Sequence, residues 1–307
     1  MKKVYDVIII GGGPGGYTAA LYAARAGLDT LVIEKLSVGG QMALTDTIDN
    51  YPGFEEGIDG ISLGFKMQQG AEKFGVKTEY DEIVCVSLDG KVKTAVGASG
   101  EYRSKTVIIA TGAGPRELGI EKEKELMGKG VHYCAHCDGR FYKDKAVVVV
   151  GGGNSAAEDA LYLSRLATKV YLVHRRDQLR ATKVYREALM KAGNVEFIWD
   201  SKVADFYSNK RVNGVKIENI NTSEMKDIEC DGVFVSIGRK PASELFEGKI
   251  ELDENGYIVA DESTKTSVSG VFVVGDVRTK ELRQVVTAVS DGAVAAHVAE
   301  KYISGEQ

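Results

Sequence analysis

Short runs of apolar residues alternate along this chain with longer stretches in which small and apolar residues recur at helical spacing. Val7-Ile8-Ile9-Ile10, Leu31-Val32-Ile33, Val147-Val148-Val149-Val150 and Val170-Tyr171-Leu172-Val173 are such runs. Runs this short, bounded by glycine turns, predict strands buried on both faces. Residues 7–35 and 147–175 align without a gap at an offset of 140 (147 − 7). Gly11-Gly12-Gly13 then lies over Gly151-Gly152-Gly153, Ala20-Leu21-Tyr22 over Ala160-Leu161-Tyr162, and Arg25 over Arg165. Each copy predicts a strand, a glycine turn, a helix and a second strand, the opening βαβ of a dinucleotide-binding fold.

Within each turn the spacing is Gly-x-Gly-x-x-Gly or its alanine variant, placed between strand and helix. Gly11, Gly13 and Gly16 are expected to supply the tight turn, the close approach to a pyrophosphate and the helix–strand contact. Gly151, Gly153 and Ala156 hold those places in the second copy. An ordinary strand–turn–helix with structural glycines is the bland alternative, and two copies in register argue against it. The copies diverge at the end of their second strands. Glu34 and His174 each stand 23 residues beyond the first glycine (34 − 11 and 174 − 151). A carboxylate there accepts hydrogen bonds from a free ribose, whereas arginines accommodate a 2′-phosphate. The first copy is therefore expected to hold FAD or NAD and the second NADPH, with Arg175, Arg176 and Arg180 around its phosphate. A merely solvated basic edge is the alternative for those arginines.

Three further apolar runs end in glycine turns: Thr106–Gly112, Gly232–Gly238 and Gly270–Asp276. The first two would each close a sheet, and the third would return to the first domain. The expected fold class is α/β, with two Rossmann-like, three-layer nucleotide-binding domains, the second inserted into a discontinuous first. Residues 1–113 and 242–307 form the first domain and 114–241 the second, joined near Ala113-Gly114-Pro115 and Arg239-Lys240-Pro241.

Composition narrows the function. The 307 residues carry 39 basic and 44 acidic side chains, net charge −5, which argues against nucleic-acid and anionic-membrane partners. No apolar run reaches membrane-span length and Met1-Lys2-Lys3 opens no signal-peptide pattern, so the expected location is cytoplasmic. Of four cysteines, Cys134 and Cys137 form Cys-x-x-Cys, which means redox chemistry or half a metal site. Zinc would need two more soft ligands. Cys85 and Cys230 stand alone and are expected to be small buried hydrophobes, so no metal is expected. Reducing the disulfide requires one proton. Asp138, next to Cys137, could supply it where burial favours its neutral form, or could simply start a turn with Gly139. His136 could serve instead, or tune the pair, or be a turn residue.

Taken together, Gly11-Gly12-Gly13-Pro14-Gly15-Gly16, Gly39-Gly40-Gln41, Cys134-Ala135-His136-Cys137-Asp138-Gly139, Gly151-Gly152-Gly153-Asn154-Ser155-Ala156, His174-Arg175-Arg176-Asp177 and Gly275-Asp276-Val277 resemble the low-molecular-weight, bacterial-type thioredoxin reductases. The likeness covers essentially the whole chain. It implies an NADPH-dependent flavoprotein of the class II pyridine nucleotide-disulfide oxidoreductases: a homodimer that passes electrons from NADPH through FAD to a disulfide, and on to thioredoxin. It implies FAD contacts at Pro14, Glu34, Gly39, Gly40, Gln41, Asn50, Thr111, Gly112, Gly275, Asp276, Arg283, Gln284 and Val285, and NADPH contacts at Asn154, Ser155 and His174 beside the arginines. Cys137 would face the flavin, Cys134 would attack the protein substrate, and Asp138 would be the acid/base. Arg140-Phe141-Tyr142 and Gly238-Arg239-Lys240-Pro241-Ala242-Ser243 depart from the family pattern. Other readings are a reductase of another small redoxin or peroxiredoxin-linked partner, a ferredoxin-fed flavin reductase, and a non-enzymatic flavin redox sensor.

Overall fold

The structure, a computed structural model, describes residues 3–45 and 47–305. Met1, Lys2 and Gln307, which the sequence places at the ends of the first domain, lie outside the described residues. The chain divides into two compact units, Met1–Gly114 with Lys240–Gln307, and Pro115–Arg239.

In the first unit β1 (Val4–Ile10), α1 (Pro14–Arg25) and β2 (Thr30–Glu34) are the first copy of the repeat. Helix α2 (Gly60–Glu72) follows, capped by Asp59, whose carboxylate accepts the Ser62 amide at 2.8 Å. Then come β3 (Lys77–Tyr80), β4 (Ile83–Ser87), β5 (Lys93–Gly97) and β6 (Glu101–Ile109). Strand β1 pairs in parallel with β2 and β6, and β2 with β3, while β4, β5 and β6 are antiparallel.

The chain crosses between units at β7 (Ala113–Pro115). The second unit then runs through β8 (Val131–His132), α3 (Ala135–Asp138), β9 (Ala146–Val150), α4 (Asn154–Ser164), β10 (Lys169–Val173), α5 (Lys183–Lys191) and β11 (Val195–Ile198). An antiparallel sheet of β12 (Ser201–Asn209), β13 (Arg211–Asn219) and β14 (Met225–Glu229) precedes β15 (Gly232–Val235). The chain crosses back at β16 (Arg239–Pro241), which pairs with β7. It ends with β17 (Val271–Val273) and α6 (Val285–Ser304).

Alternation of side chains along each buried strand builds two cores, one per sheet face. Val7 and Ile9 join Tyr17, Ala19, Ala20 and Ala23 beneath the helices, while Ile8 and Ile10 join Leu31, Ile33 and Val107 on the opposite face. Val147 and Val149 against Val148 and Val150 repeat the scheme in the second unit. Each fully buried aliphatic side chain stabilises its unit by roughly 1.5–3 kcal/mol. Small residues let α1 and α6 touch: a Cβ at Gly292 would fall 2.4 Å from the Gly15 carbonyl oxygen.

The repeat extends further than the opening βαβ. The first unit orders its parallel strands β3-β2-β1-β6-β17 and the second β11-β10-β9-β15-β8. Each fifth strand lies beside the fourth in the same register, Phe272 opposite Ile108 and His132 opposite Phe234. Phe272 and His132 are again 140 apart (272 − 132), so residues 130–138 fall over 270–278 at that offset, with Gly130-Val131 over Gly270-Val271. The loop bearing Cys134 and Cys137 in one unit thus corresponds to the loop bearing Gly275 and Asp276 in the other.

Candidate functional site

At the end of β1 the backbone turns so sharply that only glycine fits. Gly11 has φ +110°, and a Cβ there would lie 2.4 Å from the Ala110 oxygen. A Cβ at Gly16 would lie 2.0 Å from the Gly11 oxygen, which seats α1 directly on the turn. Gly13 faces open space, and a Cβ there would meet nothing within 4 Å. It caps α1 with no side-chain hydrogen bond, Pro14 follows, and the first turn has no acidic residue. The unpaired amides of that turn fit an anionic pyrophosphate.

Glu34, ending β2, sits beside this turn. Its carboxylate accepts the Gly12 amide at 2.6 Å and the Leu36 amide at 3.0 Å, leaving lone pairs free for ribose hydroxyls. The Gly39 amide donates to the Gly12 oxygen at 2.8 Å, and a Cβ at Gly40 would lie 3.5 Å from the Gly13 Cα. Gln41 follows on a 3₁₀ turn. Thr111 and Gly112 follow β6, and both hold Ala242: the Thr111 hydroxyl donates to its oxygen and its amide donates to the Gly112 oxygen. Gly275 and Asp276 follow β17. The turns after β1, β6 and β17 are neighbouring carboxyl ends of one parallel sheet, where open α/β sheets bind ligands.

A buried ionic cluster braces that edge. Asp291 on α6 accepts the Gly275 amide at 2.9 Å, Arg278 Nη1 at 2.8 Å and Lys280 Nζ at 2.7 Å. Arg278 is 1% exposed and also donates to the Asp261 carbonyl. Arg283 stacks over the Tyr257 ring at 4.2 Å and donates to the Asp276 carbonyl. Gln284 caps α6 in a capping box with Thr287 and accepts from Asn50 at 3.1 Å, while Val285 packs near Met42 and Leu63. Every residue expected at FAD therefore lies in the first unit.

The second turn repeats the first. Gly151 has φ +152°, and a Cβ there would meet the Ser236 oxygen at 2.4 Å and the Ala156 side chain at 2.7 Å. Gly153 faces open space and caps α4 without a side-chain bond. Asn154 accepts the Thr182 amide at 2.9 Å, and Ser155 is exposed. In place of the carboxylate is His174, whose ring lies so close to Gly152 that a Cβ there would be 2.1 Å away. His174 is buried and its Nε2 has no hydrogen-bond partner. Burial, then the charges of Arg180, Arg176 and Arg175, push its pKa below the usual imidazole value. Arg175, Arg176 and Arg180 are exposed, and among the described residues no carboxylate pairs with them. Three uncompensated guanidinium groups beside an open helix N-terminus fit a phosphorylated ribose.

Cys134 and Cys137 are joined in a disulfide, Cα–Cα 5.3 Å, across the single turn of α3. Cys134 Sγ accepts the Cys137 amide at 3.2 Å, and both residues are half-buried. His136 is exposed, its ring 4.4 Å from that of Tyr162 and its Nε2 3.9 Å from Glu158. Asp138 lies 3.0 Å from Nδ1 of His132, and His132 Nε2 lies 2.6 Å from the Tyr142 hydroxyl. Tyr133 donates to the buried Glu123 at 2.8 Å. Among the described residues no group of three His, Cys, Asp or Glu side chains is arranged to hold a metal.

One expectation is corrected. Cys230 is buried, and burial pushes its thiol up to about 12, but Cys85 is exposed. Its run Ile83-Val84-Cys85-Val86 forms β4, the last strand of its sheet; an edge strand packs on fewer neighbours, and Val84 is exposed too. Sequence reasoning also missed His132, Tyr142, Arg278 and Asp291. The 140-residue offset, extended to Gly130-Val131 over Gly270-Val271, was the signal that would have found the two loops carrying His132 and Arg278.

Residues 5–292 match the pyridine nucleotide-disulphide oxidoreductase family. The chain is similar to the thioredoxin reductase of Peptoclostridium acidaminophilum, 48% identical over 99% of this chain and 98% of that protein. A thioredoxin reductase of Listeria monocytogenes is 47% identical over 98% of this chain and 95% of its own length. Among solved structures, thioredoxin reductase from Streptococcus pyogenes superposes with TM-score 0.91 at 44% identity, covering 98% of this chain and 99% of that one. Among the described residues no helix is long and apolar enough to cross a membrane.

Proposed function

The chain belongs to the pyridine nucleotide-disulphide oxidoreductase family, and on that premise we propose that it reduces oxidised thioredoxin with electrons from NADPH. It is a flavoprotein oxidoreductase acting on a disulfide. FAD, when bound, carries the two electrons between nicotinamide and the Cys134–Cys137 bond. The single observation that carries the reading is the pairing of a complete redox disulfide with two nucleotide turns of opposite character, one with a carboxylate at its strand end and the other with arginines.

In this reading the first unit is the FAD domain and the second the NADPH domain. Pyrophosphate binds at Gly11, Gly13, Pro14 and Gly16, Glu34 takes the adenosine ribose, and Gly39, Gly40, Gln41, Asn50, Thr111, Gly112, Gly275, Asp276, Arg283, Gln284 and Val285 hold the rest of the flavin nucleotide. Gly151, Gly153, Asn154, Ser155 and Ala156 hold NADPH, whose 2′-phosphate falls to Arg175, Arg176 and Arg180 with His174 beneath. Cys137 receives electrons, Cys134 exchanges with the protein substrate, and Asp138 moves the proton. The bare arginine trio speaks for a nicotinamide donor over ferredoxin. A homodimer in the cytoplasm completes the reading: one redox pair and two free thiols suit a reducing compartment.

The direct test is NADPH oxidation by the purified flavoprotein with oxidised thioredoxin, beside the Cys134→Ser and Cys137→Ser variants. Wild type should turn over, and each serine variant should lose thioredoxin reduction by on the order of a thousandfold or more. A serine variant that still reduced thioredoxin at the wild-type rate would sink the assignment.

A further inference from the structure

The middle glycine of each nucleotide turn is backed by one aromatic ring, and the two rings come from opposite sides. A Cβ at Gly12 would lie 3.1 Å from Cε2 and 3.2 Å from the hydroxyl of Tyr17, on α1. A Cβ at Gly152 would lie 2.1 Å from Cε1 of His174, just past β10. Gly12 and Gly152 hold the same place in the repeat, so both rings press on the same spot. The helix residue that matches Tyr17 is Ala157, and the strand-end residue that matches His174 is Glu34, each at the 140-residue offset (157 − 17 and 174 − 34). In one unit the helix fills the slot and the strand end keeps its carboxylate on the turn amide. In the other the helix leaves the slot empty and the strand end fills it with imidazole.

Burial agrees with this exchange. Tyr17 is 1% exposed and packs with Val7, Ile9 and Val32; Ala157 is 0% exposed and packs with their counterparts Val147, Val149 and Leu172. His174 is also buried, and its Nε2 has no hydrogen-bond partner. At that atom only packing accounts for a ring that lies so deep. The far ends of the slots differ too. The Tyr17 hydroxyl shares a hydrogen bond with Thr78 on β3 at 3.3 Å. Opposite Leu172, as Thr78 is opposite Val32, stands Phe197 on β11, which offers a hydroxyl no partner.

Interiors are close-packed, so one slot cannot hold two rings, and an empty one costs a cavity. We infer that Ala157 is a positioning residue for nucleotide choice in the second unit: its small side chain admits the His174 ring beneath Gly152 and so keeps the ribose position clear. A ring at 157 would drive His174 out to where Glu34 holds its carboxylate in the first turn. That is the place of the adenosine ribose, directly before Arg175 and Arg176. The inference rests on the reading of the second unit as the NADPH domain.

The test is a double-mutant cycle with two readouts. Ala157→Phe brings in the ring of Tyr17 without the hydroxyl, and His174→Glu empties the slot while supplying the carboxylate of the first turn. Thermal unfolding of the flavoprotein reads the packing. Ala157→Phe should lower the midpoint by about 4 °C or more, and adding His174→Glu should restore most of the loss. Ala157→Phe with Phe197→Leu is the control. Relief from Phe197→Leu alone would place the clash on β11, and an equal loss with and without His174 would mean that the two side chains share no slot; either result overturns the inference. If Ala157→Phe alone does not fold, recovery of folded protein in the double variant is the supporting result. If neither folds, the milder pair Ala157→Leu and His174→Ala is judged by the same criterion.

Anaerobic bleaching of the flavin by NADPH and by NADH reads the ribose position. Ala157→Phe should raise the half-saturating concentration of both nucleotides by about tenfold or more, with the limiting rate little changed. The double variant should take NADH at about tenfold lower concentration than His174→Glu alone, because the ring holds the introduced carboxylate on the turn amide. Half-saturation unchanged by Ala157→Phe, or a double variant no better with NADH, would reduce Ala157 to a packing residue and overturn the inference. Neither readout uses thioredoxin, so a wild type that bleaches with NADPH but leaves thioredoxin oxidised would overturn the proposed substrate alone.

Discussion

The Gly12 amide donates to the Glu34 carboxylate at 2.6 Å across the first nucleotide turn. The matching pair in the second turn, 140 residues on, is Gly152 against the ring of His174. In the first, a carboxylate draws an amide inward and keeps lone pairs for a ribose. In the second, an uncharged ring fills the same space and leaves the charge to the arginines that follow. On the proposed reading this exchange of Glu34 for His174, with the arginines that follow it, separates two nucleotides that share most of their chemistry.

Glu34→Ala should weaken flavin retention. The Gly12 and Leu36 amides lose their acceptor, each at a cost of about 1–3 kcal/mol if left unsatisfied, and the ribose loses its partner. The flavin-to-protein absorbance ratio after extended dialysis measures it. A variant that keeps its full flavin complement would remove Glu34 from the site.

Arg175→Ala and Arg176→Ala should raise KM for NADPH by about tenfold or more each, since a hydrogen bond to a charged group contributes about 1.5–3 kcal/mol. NADH, without the 2′-phosphate, should be nearly unaffected. Steady-state kinetics with both nucleotides decide the matter; parallel losses for NADPH and NADH would contradict the phosphate role.

His174 gives a pH dependence whose sign can be worked out. Its folded pKa lies below the ordinary 6.5 because of burial and three arginines. Below about pH 6.5 the unfolded chain binds a proton that the folded chain refuses, so stability falls as pH drops through that value. Above it the contribution is fully present. Unfolding midpoints measured from pH 5 to 8 should therefore show a steeper acid decline for wild type than for His174→Asn. Equal slopes would show that His174 titrates normally in the folded protein.

Removing the carboxylate from the buried cluster should be costly. Asp291→Ala leaves Arg278 without its close anionic partner at 2.8 Å and Lys280 without its partner at 2.7 Å, a loss of about 3–5 kcal/mol by the measure of broken buried ion pairs. It also frees the Gly275 amide, so flavin retention should fall with stability. Urea unfolding of the apoprotein checks the first and dialysis the second. An unfolding midpoint like that of wild type would mean that water replaces Asp291.

Much of this was legible in the sequence because it depends on local pattern. Uninterrupted valines and isoleucines give buried parallel strands, and the glycine spacing gives turns that tolerate no Cβ, as Gly11 and Gly16 demonstrate. Glu34 and the arginines could be read because both copies place them at one register. The remainder depends on partners distant in sequence. Cys85 reads as buried until its strand proves to be a sheet edge. Arg278 reads as a surface arginine until α6 presents Asp291 to it. His132 has no motif of its own, and its surroundings are set by Tyr142, ten residues on (142 − 132), and Phe234, 102 residues on (234 − 132).

The fifth strands also bear on ancestry. In chain order β8 follows the four parallel strands of the first copy, and β17 follows those of the second, at the same 140-residue offset. Yet β8 completes the second sheet and β17 completes the first. Two copies laid end to end, each giving its last strand to the other, would produce this connectivity without any insertion event. What looks like one domain interrupting another is, in connectivity, a reciprocal exchange of fifth strands between two copies of one strand order.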